Sequence, residues 1–358
     1  MSSMVWHFKA VDSWFFRSGK PFGFGQSITR EDTVFPPAMT TLQGAIRTAV
    51  ARQQGWQPGH DDLWPVILGT AKSLGRMTLS GPFLMVHDQI IYPMPLNLLK
   101  DDEGFIRLIP GKVVRTDLGN VQLPVTERRG SKVQAISNAW IDMVGLQQIL
   151  AGEIPEPVSV KKAGELWATE ARTGLAVAAE TGTAKDGMLF DTVHIRLCED
   201  VSVVVAVDGL PVSWQTPISV VPLGGEGRFA RVWVTEGGLP APALPKIECR
   251  DGLYRVLLML VTPGVFSDTK KALAWGPLEG LRCVSAVTGR LVMRGGWDLH
   301  QQRPRQMRGF VPAGSVWFYR LTEQQWQDIQ NLHGRQVGLD PGYGYGLVAL
   351  GTWKETDG

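Results

Sequence analysis

Apolar and polar positions change period twice near the start of the chain. Residues 4–16 open with β-forming side chains at Val5, Trp6 and Phe8 and read as a first strand, and RSGKPFGFGQ then gathers glycines and a proline into a turn. In FPPAMTTLQGAIRTAVARQQG the period becomes helical: Leu42, Ala45, Ile46, Ala49 and Val50 share one face, Thr40 or Thr41 can supply an N-cap, and Gly55 stops the helix. Strand character returns in RMTLSGPFLMV and QIIYPMPLNLL, with His87 and Asp88 near the turn between them. From about residue 100 to 190 the pattern breaks into charge clusters and Gly/Pro punctuation, with helical patches only around 140–150 and 160–172, as in an insertion or lid. IRLCEDVSVVVAVDG then resumes as a β-hairpin, and FARVWV reads as the next strand.

After the proline-spaced linker GGLPAPALPK the same order returns. LYRVLLMLVTPG reads as a buried strand, DTKKALAWG as a short helix, and residues 290–320 as two strands with a loop between. TEQQWQDIQNLHG is an amphipathic helix and DPGYGYGLVALGTW holds the closing strand. The order β-α-β-β-α-β twice predicts an α+β chain of two ferredoxin-like domains, 1–238 and 245–358, the first carrying the insertion at about 100–190. A chain of 358 residues also exceeds the comfortable size of one core.

Charge singles out one stretch. Residues 290–320 hold Arg290, Arg294, Arg303, Arg305, Arg308 and Arg320 against Asp298 alone, a balance of +5 in a chain whose net charge is +2. The remainder is therefore mildly acidic, and the basic stretch is a local feature. Arginine's planar fork suits phosphate, so a polyphosphate backbone is the first candidate ligand; a solvated basic hairpin is the alternative. Each half also places a glycine cluster before its last strand, Gly224-Gly225-Glu226-Gly227-Arg228 and Gly342-Tyr343-Gly344-Tyr345-Gly346. Both fit G-x-G-x-x-A, but a dinucleotide fold needs a strand before that motif and a helix after it, and here strand-like residues follow. The clusters are either loops where backbone meets ligand, with Tyr343 and Tyr345 to stack on bases, or tight turns. The helix start TTLQGAIR offers a similar choice. Thr41 and backbone N–H groups can receive a phosphate, with Gly44 allowing close approach and Arg47 one turn on, or the segment is an ordinary core helix.

FFRSGKPF, FPPAMTTLQGAIRTAV, EARTGLAVAAETGTAKDGMLF, PLGGEGRFARV, GGWDLHQQRPRQMRGFVPAGSVWFY and GYGYGLVALGTW, in that order, resemble the motifs of the third Cmr subunit of type III-B CRISPR effector complexes, in the RAMP superfamily. The resemblance implies a ferredoxin-like RNA-binding protein that holds the 5′ repeat-derived tag of the guide RNA (crRNA). It implies docking to the large polymerase-like subunit and a neighbouring backbone RAMP subunit, with target RNA met indirectly. The RNA contacts are then expected at Arg17, Thr41, Gly44, Arg47, Gly224, Gly225, Arg228, Arg294, Arg303, Arg305, Arg308 and residues 342–346. Ser18 and Lys20 stand where the family motif has Asp and Arg, which leaves Arg17 as the contact of that segment.

A scaffold rather than a catalyst is implied, without cofactor or metal. The competing reading is a metal-independent RAMP endoribonuclease using His300 or His7 as acid or base. Of the six histidines only His300 lies in a basic context. Cys198, Cys249 and Cys283 are odd in number and form no C-x-x-C pair, so a reducing cytoplasm is expected, with no membrane span. Thirteen tryptophans, among them Trp56, Trp64, Trp140, Trp167 and Trp275 outside the strands, predict an exposed apolar surface for partner subunits.

Overall fold

The computed structural model describes residues 3–17, 29–31, 33–71, 73–117, 119–177, 180–181, 183–215, 219–298 and 303–355. They fall into two compact units: Met1–His87, Gly164–Gly238 and Arg294–Arg308 form one, and Asp88–Ala163, Leu239–Met293 and Gly309–Gly358 the other.

In the first unit Met4–Ala10 is the central strand, antiparallel to Val201–Asp208 on one side and to Phe229–Glu236 on the other. Thr78–Val86 lies beyond Val201–Asp208, and Val220–Pro222 beyond Phe229–Glu236. The four long strands, taken in chain order, lie side by side as 2-3-1-4. Trp6 and Phe8 are fully buried, and Leu42, Ile46 and Val50 of the helix Met39–Gln53 are buried as well. Each such side chain contributes about 1.5–3 kcal/mol by leaving water. The helix begins earlier than expected: its N-cap is Ala38, with no side-chain cap, so Thr40 and Thr41 fall inside the first turn. A single 3-10 turn, Val212–Trp214, occupies part of the connection into the last strands. The strand before Cys198 forms as expected but does not pair with Val201–Asp208. Ala184–Leu197 instead forms a long hairpin with Trp167–Val177, so the helical patch anticipated at 160–172 shrinks to one turn, Ala163–Leu166.

The second unit repeats the 2-3-1-4 order. Leu253–Leu260 is central between Val316–Leu321 and Val348–Thr352, with Ser285–Val287 beyond Val316–Leu321. The helices Thr269–Trp275 and Glu323–Ile329 follow the first and third of these strands, and the second helix carries a capping box between Thr322 and Gln325. Val256, Leu258, Leu260, Trp317, Tyr319, Leu350 and Trp326 make its core.

Residues 88–163 group with this second unit, whereas the sequence reading placed most of them as an insertion within 1–238. The helix Met143–Leu150 packs on Val348–Thr352 so closely that a Cβ at Gly351 would sit 2.5 Å from the Leu150 carbonyl oxygen. Gln147 accepts from the Ala243 N–H at 2.8 Å and donates to its carbonyl at 2.9 Å, and the Tyr92 hydroxyl donates to the Pro240 carbonyl at 2.7 Å. These contacts join segments far apart in sequence.

Candidate nucleic-acid interface

The arginine-rich stretch is an excursion between two strands of the second unit's sheet. The first of these is Ser285–Val287, upstream of Arg290, so the expectation that the stretch itself supplies both sheet strands holds only for Val316–Leu321. Between them the chain runs out and back as a narrow ribbon, Val292–Arg294 beside Arg308–Phe310 and Trp297–Asp298 beside Arg303–Pro304. The Arg305 N–H donates to the Gly296 carbonyl at 2.8 Å. Arg290 and Arg303 are exposed, while Arg294, Arg305 and Arg308 are half-buried. Among the described residues Arg290, Arg303 and Arg305 form no ion pair. Arginines elsewhere are bound to carboxylates: Arg107 to Glu127 at 2.6 Å, Arg128 to Asp101 at 2.6 Å, Arg196 to Asp12 at 2.7 Å, and Arg320 to Glu355 at 2.8 Å. Arg320 also lies over Trp353 at 5.5 Å and is a structural member of the stretch.

The first glycine cluster turns against residues 12–16. The Gly225 N–H donates to the Phe15 carbonyl at 2.8 Å, and a Cβ at Gly224, where φ is +97°, would lie 2.8 Å from that same oxygen. A Cβ at Gly225 would meet the Phe15 ring at 3.2 Å. Gly224 is therefore required by the approach of the Phe15 backbone, Gly225 sits in tight contact with the Phe15 ring, and Gly227 has nothing within 4 Å. Asp12 gathers Arg196 at 2.7 Å, Arg172 at 3.2 Å and Arg228 at 3.5 Å, and Glu170 takes Arg172 and Arg196 as well. The guanidinium groups hold both carboxyls below the ordinary carboxylate range, chiefly Arg196 for Asp12 and Arg172 for Glu170. Of the three arginines Arg228 is the most loosely bound. His194, buried on the Phe15 ring, faces Ser13 Oγ at 3.3 Å with one ring nitrogen and Glu226 Oε2 at 3.0 Å with the other. Burial pushes its pKa down, against the pull of Glu226, which suits a neutral imidazole satisfied on both nitrogens.

At the helix Met39–Gln53, Thr41 is exposed and half-buried Gly44 has open space where a Cβ would stand. Arg47 points inward instead: it is buried, donates to the Thr70 carbonyl at 2.8 Å and Gln43 Oε1 at 3.1 Å, and lies 5.4 Å from the Trp64 ring. Arg17 is exposed and forms a lone β-bridge with Thr33; Ser18, Lys20 and His300 lie outside the described residues.

The second glycine cluster is tied into its own unit. Thr262 Oγ1 donates to the Gly344 carbonyl at 2.7 Å and accepts from the Leu347 N–H at 2.9 Å. Gly344 and Gly346 have φ of +78° and +72°, and a Cβ at Gly346 would stand 1.9 Å from the Val337 carbonyl oxygen. Tyr345, expected to offer its ring to a base, is 3% exposed and packs edge-on to Phe310 at 4.9 Å. Tyr343 stacks on it at 6.2 Å, and with Gly342 remains half-buried at the surface. Strands Phe229–Glu236 and Val348–Thr352 follow the two clusters, so neither has the context of a dinucleotide site.

Sequence reasoning missed the most exposed aromatic side chains. Trp56, Trp64, Trp140, Trp167 and Trp275 are all half-buried; Trp56 packs on Trp64 and Trp167 on Phe35. Among the described residues the exposed Phe, Tyr or Trp side chains are Phe229 and Trp233. The alternation of FARVWV held the signal, since Phe229, Arg231 and Trp233 share one face of a strand whose other face is core. Among the described residues no three His, Cys, Asp or Glu side chains are grouped to hold a metal ion, and no helix is long and apolar enough to cross a membrane.

The sequence model of a family described as CRISPR-associated protein (Cas_Cmr3) matches residues 6–353. Solved structures that resemble the fold include two of type III-B complexes. One is the type III-B Cmr-beta bound to cognate target RNA and AMPPnP, with 15% identity, TM-score 0.53, and coverage of 91% of this chain and 88% of that one. The other is Cmr-beta bound to cognate target RNA, with the same identity and TM-score and coverage of 92% and 89%. At that identity the likeness concerns the fold. Comparison with curated proteins found no match.

Proposed function

This chain belongs to the Cas_Cmr3 family of CRISPR-associated proteins, and on that premise we propose that it is the guide-tag-binding, non-catalytic subunit of a type III-B effector complex. In this reading each 2-3-1-4 sheet is the core of a ferredoxin-like domain, the architecture expected of RAMP proteins. The ribbon carries the reading: Arg303 and Arg305 lack ion pairs among the described residues of a chain that pairs many other arginines with carboxylates. Such guanidinium groups stand ready for the phosphates of the 5′ tag. The start of Met39–Gln53, with exposed Thr41 and half-buried Gly44, is a second phosphate contact, and Arg228 and Tyr343 complete the set from the glycine loops. The large polymerase-like subunit and a backbone subunit cover other surfaces, and target RNA is met through the guide. Buried Arg47 and Tyr345 support these elements from within.

Incubating the purified protein with labelled repeat RNA in EDTA tests the non-catalytic part. Intact RNA, retained with an affinity that depends on the tag sequence, is expected; discrete cleavage abolished by replacing one histidine would replace this reading with that of an endoribonuclease.

A further inference from the structure

We propose that the outer face of the strand Phe229–Glu236 is a second RNA site, a platform on which unpaired bases stack. Phe229, Arg231 and Trp233 alternate with core residues Ala230 and Val232, so three consecutive outward positions read aromatic, basic, aromatic. Phe229 is 46% exposed and Trp233 39%. On the adjoining strand Lys9 stands directly opposite Arg231, and His7 directly opposite Trp233.

Two features of this face are hard to account for by folding alone. Like charges directly opposite on neighbouring strands destabilise a sheet, yet Lys9 and Arg231 form no ion pair with any described residue; the Lys9 ammonium donates to the Glu199 carbonyl. An anion between them removes the repulsion. Exposed aromatic surface likewise costs free energy, and Trp233 is held in place rather than loose, its ring stacked on buried His7 at 4.8 Å and 12°, with His7 Nε2 3.0 Å from Thr235 Oγ1. A fixed indole, a second aromatic ring four residues away and a positive pair between them match a chain that alternates flat rings with phosphates. Single-stranded RNA has that chemistry, whereas a duplex hides its base faces. The site shares no residue with the arginine ribbon and does not depend on the tag-binding reading.

Full-length protein is titrated against fluorescein-labelled single-stranded oligouridine and against the same RNA annealed to its complement. Phe229→Ala and Trp233→Ala should each weaken single-strand binding about 5-fold or more and leave duplex binding unchanged. Arg231→Gln should reduce the salt slope by about 0.7, the value for one phosphate on a single strand. Each ring is more than half buried and Trp233 covers His7, so melting temperatures are recorded beside the titrations and affinity is read at a temperature where every variant is folded. Unchanged affinity in both aromatic variants overturns the proposal; so does loss of co-elution with other effector subunits at unchanged RNA affinity, which would mark a protein interface. An Arg303→Ala/Arg305→Ala variant run in parallel keeps the two readings apart, since a loss confined to it defeats the platform alone and a loss confined to the face variants defeats the ribbon alone. In the assembled complex, 4-thiouridine placed in the guide or in the target identifies the bound strand by crosslinking to this strand's peptide, and no crosslink from either counts against the site.

Discussion

Replacing Gly44 with alanine separates two accounts of the helix Met39–Gln53 because it moves stability and binding in opposite directions. The added Cβ meets nothing within 4 Å, so there is no clash to subtract from the gain in helix propensity. That gain is about 0.8–1.0 kcal/mol for Gly to Ala in a helix interior, or roughly 2–4 °C in melting temperature for a cooperative unit of 150–250 residues. Packing therefore gives no reason for glycine at this position. A ligand backbone brought against the helix does, since a methyl group would displace it and lengthen a charge-assisted hydrogen bond contributing about 1.5–3 kcal/mol, or roughly 10- to 150-fold in affinity. Thermal melts and anisotropy titrations with tag RNA on the same preparation read both effects. A more stable protein with weaker binding is expected; a more stable protein with unchanged affinity would refute the contact and make this an ordinary core helix.

Arg47→Met should cost about 1–3 kcal/mol of stability, since it removes the buried guanidinium's hydrogen bonds to the Thr70 carbonyl and Gln43 Oε1, and should leave the salt dependence of RNA binding unchanged. A slope reduced by about 0.7 at unchanged stability would restore Arg47 as a phosphate contact. Gly346→Ala should act through folding, by about 3 kcal/mol or more, because its Cβ would collide with the Val337 carbonyl at a φ of +72°; the check is soluble yield and melting temperature rather than affinity. For His194 the folded pKa lies below the ordinary 6.5, so the unfolded chain binds more protons and stability falls as pH drops below about 6.5. Melting temperature should decline from neutral pH towards pH about 5.5 in the wild type and less steeply in His194→Gln, with equal slopes counting against a neutral buried imidazole.

Strands and helices with a clean period were legible in the sequence. Buried Trp6 and Phe8, Leu42, Ile46 and Val50, and the run from Leu253 to Leu260 declare themselves by spacing. What stayed hidden depends on contacts between distant segments. Nothing within residues 88–163 reveals that Gln147 meets Ala243 or that Gly351 admits Leu150, so the grouping of that segment with the second unit could not be read. Arg47 illustrates the same limit: a basic residue one turn from a phosphate-like helix start looks like a ligand contact until Thr70 and Trp64 are seen around it. Tyr343 and Tyr345 are indistinguishable as letters, and the positive φ values of Gly344 and Gly346 send one ring into the interior and leave the other at the surface. Phe229 and Trp233 were readable from alternation but were absorbed into a strand whose outward face drew no attention.

The most direct test of the guide-tag assignment is crosslinking within an assembled effector complex, with 4-thiouridine placed singly in the 5′ tag and, in separate preparations, in the spacer portion of the guide. Tag positions should crosslink to peptides of this chain that contain Arg303 and Arg305 or Thr41 and Gly44, and replacing both ribbon arginines with alanine should reduce that yield without disassembling the complex. Tag crosslinks confined to other subunits, with this chain labelled only from the spacer or not at all, would contradict the account.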